Sequence, residues 1–149
     1  MSVCNMVASG GSAVGASLSY GDFAALLDVL QAKISGLDLA DPAIYGVPRG
    51  GLVPAVCLSH RLGIPLVSSP DRPGDTLVVD DILDTGSTYR RLSYAATYYV
   101  VLLARQAPPR VIYGRMYDGP WVEFPWEVGG RPIPARAERT YQGHPSQDG

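Results

Sequence analysis

The densest concentration of reactive side chains lies between Leu77 and Thr88, where the sequence is Leu-Val-Val-Asp-Asp-Ile-Leu-Asp-Thr-Gly-Ser-Thr. An apolar run leads into two adjacent carboxylates, Asp80 and Asp81, and a glycine among three hydroxyl residues follows. Small residues let backbone N–H groups turn toward a ligand and hydroxyls add donors, so the loop predicts a phosphate cradle at a helix start. Adjacent carboxylates are costly unless cations or hydroxyl groups meet them. A sugar diol with a bound magnesium ion would satisfy both.

Strands and helices alternate around this loop. A helix is expected from Asp22 to a stop at Gly36, because apolar residues recur there at helical spacing. Further helices are expected over Leu52–Leu62 and from the Asp84–Thr88 loop through Ala96. Strands are expected at Ala43–Val47, Ile64–Val67, Leu77–Val79, Tyr98–Ala104, Val111–Tyr117 and Trp121–Phe124.

This alternation predicts an α/β protein with a parallel sheet. Ligands of such sheets bind outside the carboxyl ends of the strands. Two loops fall at those ends, Pro48 to Gly51 and Asp80 to Thr88. Their coincidence at one edge predicts the functional site better than either loop alone.

Length and composition describe one soluble domain. The chain has 149 residues, of which 46% are hydrophobic. A formal net charge of −2 argues against nucleic acid as a main partner, since contacts to phosphates need clustered cations. Two cysteines make no disulfide framework.

We expect a cytoplasmic protein with no membrane partner. No cation precedes the Gly-, Ala- and Ser-rich start, so a signal peptide is not expected. The longest apolar run, Tyr98 to Ala104, is far too short to span a bilayer. We expect a flexible leader over 1–19, one domain over 20–138 and a disordered tail over 139–149.

The acidic loop resembles the phosphoribosyl-pyrophosphate (PRPP) motif of type I phosphoribosyltransferases, which has an apolar run, two acids, two apolar residues and Asp-Thr-Gly-x-Thr. The resemblance implies their fold, a twisted parallel sheet flanked by helices with a small hood. It implies that Asp80 and Asp81 hold the ribose hydroxyls, with Asp81 also contacting Mg²⁺. Asp84 would take the base's proton. The 5′-phosphate would be bound by Asp84, Thr85, Gly86, Ser87 and Thr88. The alternative for Asp84 is a simple helix cap.

The segment Tyr45 to Leu52 resembles the pyrophosphate loop of the same family. A cation beside two glycines suits a pyrophosphate that backbone amides approach closely. The pyrophosphate-binding residues would be Pro48, Arg49, Gly50 and Gly51.

The segment Trp121 to Glu127 resembles the Trp-x-x-x-Pro-Trp-acid segment of bacterial xanthine–guanine phosphoribosyltransferases. There the first aromatic stacks on the purine and the next residue's backbone reads its edge, which implies base-binding roles for Trp121 and Val122. Those enzymes carry a lysine that donates to the 6-oxo group, and Arg105 occupies about that place. Trp126 and Glu127 are expected to brace the segment. The alternative for Trp121 is core packing.

The expected activity is transfer of a phosphoribosyl group from PRPP to a nucleobase, a 6-oxopurine above others. The partners are therefore PRPP and a purine base, and the family resemblance implies a homo-oligomer, dimer or tetramer. Family members close a long loop over PRPP, whereas here only the short turn from Ser68 to Asp75 occupies that place. That difference keeps open a PRPP- or nucleotide-binding regulator. Asp84 to Ser87 also spells an aspartic-protease motif, but those enzymes are all-β, and further acids would disturb their proton-sharing dyad.

Overall fold

The structure is a computed structural model that describes residues 16–127 and 129. It has seven strands, three α-helices and a short 3₁₀ helix at Pro125–Glu127. The helices are α1 (Tyr20–Ser35), α2 (Leu52–Leu62) and α3 (Ser87–Leu92). The strands are β1 (Ala16–Ser17), β2 (Ala43–Gly46), β3 (Leu66–Val67), β4 (Thr76–Leu83), β5 (Tyr98–Ala104), β6 (Val111–Met116) and β7 (Val122–Glu123).

Five strands form one parallel sheet in the order β3-β2-β4-β5-β6. This confirms the predicted parallel α/β architecture. The connection from β2 runs to β3 on one side, whereas β4, β5 and β6 continue on the other. The loops leaving β2 and β4 therefore separate at a topological switch point, where open α/β sheets bind ligands. The fold places Pro48 to Gly51 and Asp80 to Thr88 side by side at this switch point. We call the space between them the crevice.

The helices cover the two faces of the sheet unequally. Helix α1 starts with a capping box, in which Ser19 Oγ accepts from the Asp22 N–H and the Asp22 carboxylate accepts from the Ser19 N–H. Its apolar stripe packs with α2 on one face, and the six-residue α3 lies on the other. Strand β5 is buried along almost its whole length because it lies inside the sheet with cover on both faces.

A second, two-stranded sheet forms the hood. Strands β1 and β7 pair in parallel, with Ala16 opposite Val122. The Ala16 N–H donates to the Trp121 carbonyl at 3.0 Å, and the Leu18 N–H donates to the Glu123 carbonyl at 2.9 Å. Of the expected flexible leader over 1–19, residues 1–15 lie outside the described residues, and backbone groups in 16–19 pair with β7 or take part in the cap of α1. The hood consists of β1, β7 and Pro125–Glu127, and it confirms the expected small hood.

Three boundaries differ from the sequence-based prediction. Strand β4 does not end at Val79, because backbone pairing with β5 continues to Leu83. Helix α3 stops at Leu92 rather than Ala96. The Ala95 and Ala96 N–H groups donate to carbonyls three residues back, and these hydrogen bonds tighten the chain into a turn. The last strand is limited to Val122–Glu123.

No helix in the described part of the chain is long and apolar enough to cross a membrane. The expected tail, 139–149, lies outside the described residues.

Candidate active site

The acidic pair, Asp80 and Asp81, stands near the end of β4 with each side chain held differently. Asp80 is only 8% exposed, and its carboxylate accepts from the Tyr99 hydroxyl at 2.8 Å and from the Asp81 N–H at 2.9 Å. Burial, and then the neighbouring Asp80 carboxylate, raise the pKa of Tyr99, which keeps its hydroxyl a donor. The Asp80 carboxylate is therefore held in place by a hydrogen bond from Tyr99 in β5.

The Asp81 carboxylate folds back on its own backbone. Its Oδ1 accepts from the Ile82 N–H at 2.8 Å. Burial, and then the adjacent Asp80 carboxylate, raise the pKa of Asp81 to about 7. Two carboxylates so placed disfavour a second negative charge, and a cation or sugar hydroxyls would relieve that cost.

The glycine loop, Pro48 to Gly51, packs directly on the acidic pair. A Cβ on Gly50 would overlap the Asp81 carboxylate, and one on Gly51 would overlap the Val79 carbonyl and come within 2.9 Å of the Asp80 Cα. The peptide bond between Pro48 and Arg49 is cis. Only glycine lets this loop lie against the end of β4, which brings the exposed Arg49 to the mouth of the crevice.

The phosphate loop, Thr85 to Thr88, follows β4 and opens α3. Gly86 has a φ of 85°, a left-handed conformation that favours glycine, and it caps α3 with no side-chain hydrogen bond. Thr85 and Ser87 meet only through weak contacts, 3.3 Å between their hydroxyls and 3.4 Å from the Ser87 N–H to the Thr85 hydroxyl. These donors remain available to an anionic ligand because the helix cap does not use them.

Asp84 lies between β4 and the phosphate loop and forms an ion pair with Arg105. Arg105 Nε lies 2.7 Å from Asp84 Oδ1, with the two side chains 27% and 48% exposed. The same guanidinium donates to the Gly119 carbonyl at 2.7 Å and the Pro120 carbonyl at 3.4 Å. Asp84 therefore does not cap α3, whose N-cap is Gly86, and it is linked instead to the chain that enters the hood.

Trp121 presents a flat exposed surface beside this linkage. Its side chain is 70% exposed, which excludes core packing as its role. The next residue, Val122, has a buried side chain, and its backbone polar groups point away from β1, because those of its neighbours face β1 in the ladder. An aromatic plane and a free backbone edge thus occur side by side.

The end of the hood is braced as the sequence predicts. Trp126 stacks on Phe124 and meets Phe23 edge-on, each at 5.1 Å between ring centroids. Glu127 Oε2 accepts from the Phe124 N–H at 3.0 Å. Burial most strongly, and more weakly the nearby Asp81 carboxylate, raise the pKa of Glu127, so the hood lies within electrostatic reach of the acidic pair.

The structure brings most of the predicted site residues to one edge of the sheet and links the rest to it through Arg105. The glycine loop, the acidic pair and the phosphate loop share the carboxyl edge of the sheet, and Arg105 links Asp84 to the stretch before Trp121 and Val122. Sequence reasoning missed Tyr99 and Tyr117, whose hydroxyls hold Asp80 and the Pro120 carbonyl. For Tyr99 the available signal was a hydroxyl group within the otherwise apolar, buried strand β5; Tyr117 follows the half-exposed β6 and gave no comparable signal.

A depression of about 370 Å³ lies elsewhere, at the amino edge of the sheet, among residues that include Asp71, Arg72, Tyr94 and Arg110. Its Arg72 is already bonded to Asp41 and to the Asp75 carbonyl. The acidic pair lies at the opposite edge, so we assign the chemistry to the crevice and not to this depression.

Comparison with known proteins places the fold. No protein-family model matches the chain. A purine phosphoribosyltransferase from Pyrococcus horikoshii is similar in structure, with a TM-score of 0.60 and 26% identity over 80% of this chain and 95% of that one. The Helicobacter pylori xanthine-guanine-hypoxanthine phosphoribosyltransferase matches with a TM-score of 0.58 and 19% identity, over 84% of this chain and 97% of that one. A Neisseria gonorrhoeae protein with bound ppGpp matches at 0.56 and 21%, over 74% and 87%. The chain has the type I phosphoribosyltransferase fold.

Proposed function

We propose that this protein transfers the phosphoribosyl group of PRPP to a nucleobase, with a 6-oxopurine (guanine, xanthine or hypoxanthine) as the acceptor. The products are a nucleoside monophosphate and pyrophosphate. The observation that carries the proposal is the assembly of the glycine loop, the acidic pair and the phosphate loop at one switch point. The similarity to the purine phosphoribosyltransferase of P. horikoshii supports the same class of reaction.

We assign one polar part of PRPP to each of these three features. Thr85 to Thr88, with Asp84, surround the 5′-phosphate through hydroxyl and backbone donors. Asp80 and Asp81 accept from the ribose hydroxyls. The glycine loop, with Arg49 and the amides of Gly50 and Gly51, binds the pyrophosphate, whose charge suits a guanidinium.

The residues around Asp81 fit a magnesium ion. Mg²⁺ in nucleotide-handling sites is bound by one or two carboxylates together with substrate phosphates and water. Asp81 offers one partly buried carboxylate of raised pKa, and the described residues contain no cluster of three or more acidic, histidine or cysteine side chains that would hold a metal alone. Asp81 would hold the ion, which when bound supplies charge neutralisation to the leaving pyrophosphate.

The hood supplies the base site. The exposed Trp121 ring stacks on the purine, and the outward backbone edge of Val122 pairs with its polar edge. A ring nitrogen of the base attacks C1′ of the ribose as the bond from C1′ to the pyrophosphate oxygen breaks. Asp84 accepts the proton that the ring nitrogen loses. Positioning and charge stabilisation carry the reaction without a covalent intermediate.

A second candidate is a PRPP- or nucleotide-binding regulatory protein with little catalysis. The observation that favours it is the connection from β3 to β4, where Ser68 to Asp75 form neither helix nor strand that could close over the ligand. Water must be excluded from a ribosyl cation, and this turn offers little cover. The aspartic-protease alternative is discarded, because the parallel α/β sheet cannot provide its all-β site.

The assay is pyrophosphate release from PRPP and Mg²⁺, with guanine, hypoxanthine, xanthine, adenine and uracil offered separately. Release with a 6-oxopurine supports the proposed enzyme and identifies its base. No release with any base, together with calorimetric binding of PRPP, would favour the regulator instead. We also propose a cytoplasmic homo-oligomer, dimer or tetramer, which light scattering after gel filtration tests.

A further inference from the structure

The side chain of Arg105 connects two parts of the crevice that are otherwise separate. Its Nε forms an ion pair with Asp84, just before the phosphate loop. Its two terminal nitrogens donate to the Gly119 and Pro120 carbonyls, in the stretch that leads into the hood. All three guanidinium nitrogens thus have protein acceptors. Its backbone is also fixed, because the Arg105 N–H donates to the Leu83 carbonyl at 2.9 Å.

The far end of this connection is held by a hydrogen bond and close packing. The Tyr117 hydroxyl donates to the Pro120 carbonyl at 2.6 Å, and the Tyr117 ring lies 5.2 Å below the guanidinium. A Cβ on Gly119 would come within 2.6 Å of the Tyr117 ring, so the turn packs closely on that tyrosine. The carbonyl of the next residue, Trp121, accepts from β1. A shift of the guanidinium must therefore displace the stretch that positions the tryptophan.

The chemistry of the side chain suits this connection. A guanidinium is a planar fork that can hold a carboxylate and two carbonyls in fixed directions, whereas an ammonium is a single point charge on a flexible stem. A lysine at position 105 would keep the charge and lose the geometry. The family resemblance assigns this place to a donor for the base, but here the three nitrogens already bind protein.

We propose that Arg105 is a positioning residue that couples the PRPP site to the base site. The inference rests on the proposed function. PRPP fixes the phosphate loop and Asp84, the guanidinium transmits that position to the Gly119 and Pro120 carbonyls, and Trp121 is then held in place for the base. Binding of PRPP consequently raises the affinity for the base, and by linkage the base raises the affinity for PRPP equally.

Calorimetry on the full chain tests the coupling without turnover. The base probe is 9-deazaguanine, a purine in which carbon replaces the attacking ring nitrogen. Its dissociation constant is measured with and without saturating PRPP and Mg²⁺, and the ratio of the two constants is the coupling. We expect a ratio of about tenfold in the wild-type protein, within the usual range for linked sites. In Arg105→Lys the ratio should fall to between one and about two, which means that the coupling is lost. In Tyr117→Phe it should lie between the values of the wild-type protein and Arg105→Lys.

The ratio distinguishes coupling from simple contact. Loss of a direct donor to the base would weaken 9-deazaguanine equally with and without PRPP and leave the ratio unchanged. Arg110→Lys, at the opposite edge of the sheet, is the matched control and should keep the wild-type ratio. A wild-type ratio in Arg105→Lys would overturn this inference alone.

The wild-type measurements separate this inference from the proposed function. A ratio of one in the wild-type protein, or no binding of 9-deazaguanine beside normal PRPP binding, also overturns the coupling and leaves the PRPP site intact. Failure of the wild-type protein to bind PRPP at all would overturn the proposed function and the coupling with it.

Discussion

Replacement of Asp81 by asparagine should stabilise the metal-free, ligand-free protein above neutral pH. Folding raises the pKa of this carboxyl from 3.8 to about 7, mainly through burial. The unfolded chain therefore ionises at lower pH than the folded one. Stability contributed by Asp81 is undiminished below the unfolded pKa, is lost as pH rises between the two values, and stays low above about 7.

The magnitude follows from the same shift. One unit corresponds to about 1.4 kcal/mol, so a shift of roughly three units sets an upper bound near ~4 kcal/mol. Water entry and movement of the glycine loop reduce this, and we expect Asp81→Asn to gain about 1–3 kcal/mol at pH 8. The gain should vanish near pH 4, where the native carboxyl is protonated in the folded protein. The amide oxygen of asparagine can still accept from the Ile82 N–H.

Urea denaturation in EDTA at pH 4 and pH 8 measures the effect. Asp28→Asn is the matched control, because Asp28 is 72% exposed and its surface ion pair with Arg61 should contribute less than about 1 kcal/mol. Magnesium with PRPP should stabilise the wild-type protein and affect the Asp81 variant far less. A gain of equal size at both pH values, or a loss at pH 8, would refute the desolvation explanation.

Three further substitutions test separate parts of the crevice. Asp84→Asn should lower kcat at least about 100-fold with PRPP affinity nearly unchanged, as calorimetry and initial rates can show; unchanged turnover removes Asp84 from proton transfer. Trp121→Ala should weaken purine binding by about 1–3 kcal/mol and PRPP far less, whereas Tyr20→Ala, an exposed aromatic control, should change neither; equal loss of both ligands would make Trp121 structural. Gly51→Ala should cost about 1–3 kcal/mol in thermal or urea unfolding because its Cβ meets backbone atoms, and Gly36→Ala, with its nearest atom at 3.7 Å, should stay within about 0.5 kcal/mol.

Local sequence signals were sufficient for much of the fold. Helix α2 was predicted over its observed range, Leu52–Leu62, because glycines flank an apolar run on both sides. The residues at the strand ends followed from periodicity and from the rule that ligands bind at carboxyl edges. The extension of β4 through Asp80 and Asp81 was missed, since acidic residues suggest a strand end while backbone pairing with β5 ignores side-chain polarity.

Contacts between distant segments could not be predicted from the sequence. The bond from Tyr99 to Asp80 and the ion pair from Arg105 to Asp84 both depend on the register between β4 and β5. A shift of one residue would turn these side chains to the other face of the sheet. Pairing of β1 with β7 joins opposite ends of the domain, and its two-residue strands carry almost no periodic signal.

Within the described residues, the hood is an expected site of local opening. Two strands of two residues each are marginal by themselves, whereas the five-stranded sheet is buried on both faces along β5. The hood can therefore open as a local unfolding unit while the sheet, the acidic pair and the phosphate loop stay intact. In hydrogen exchange, the β7 amides should lose protection at a lower opening free energy than those of β4 and β5. Such an opening would release a planar base or nucleotide sideways, and it would also uncover Val122 and Phe124, which pack in the main core.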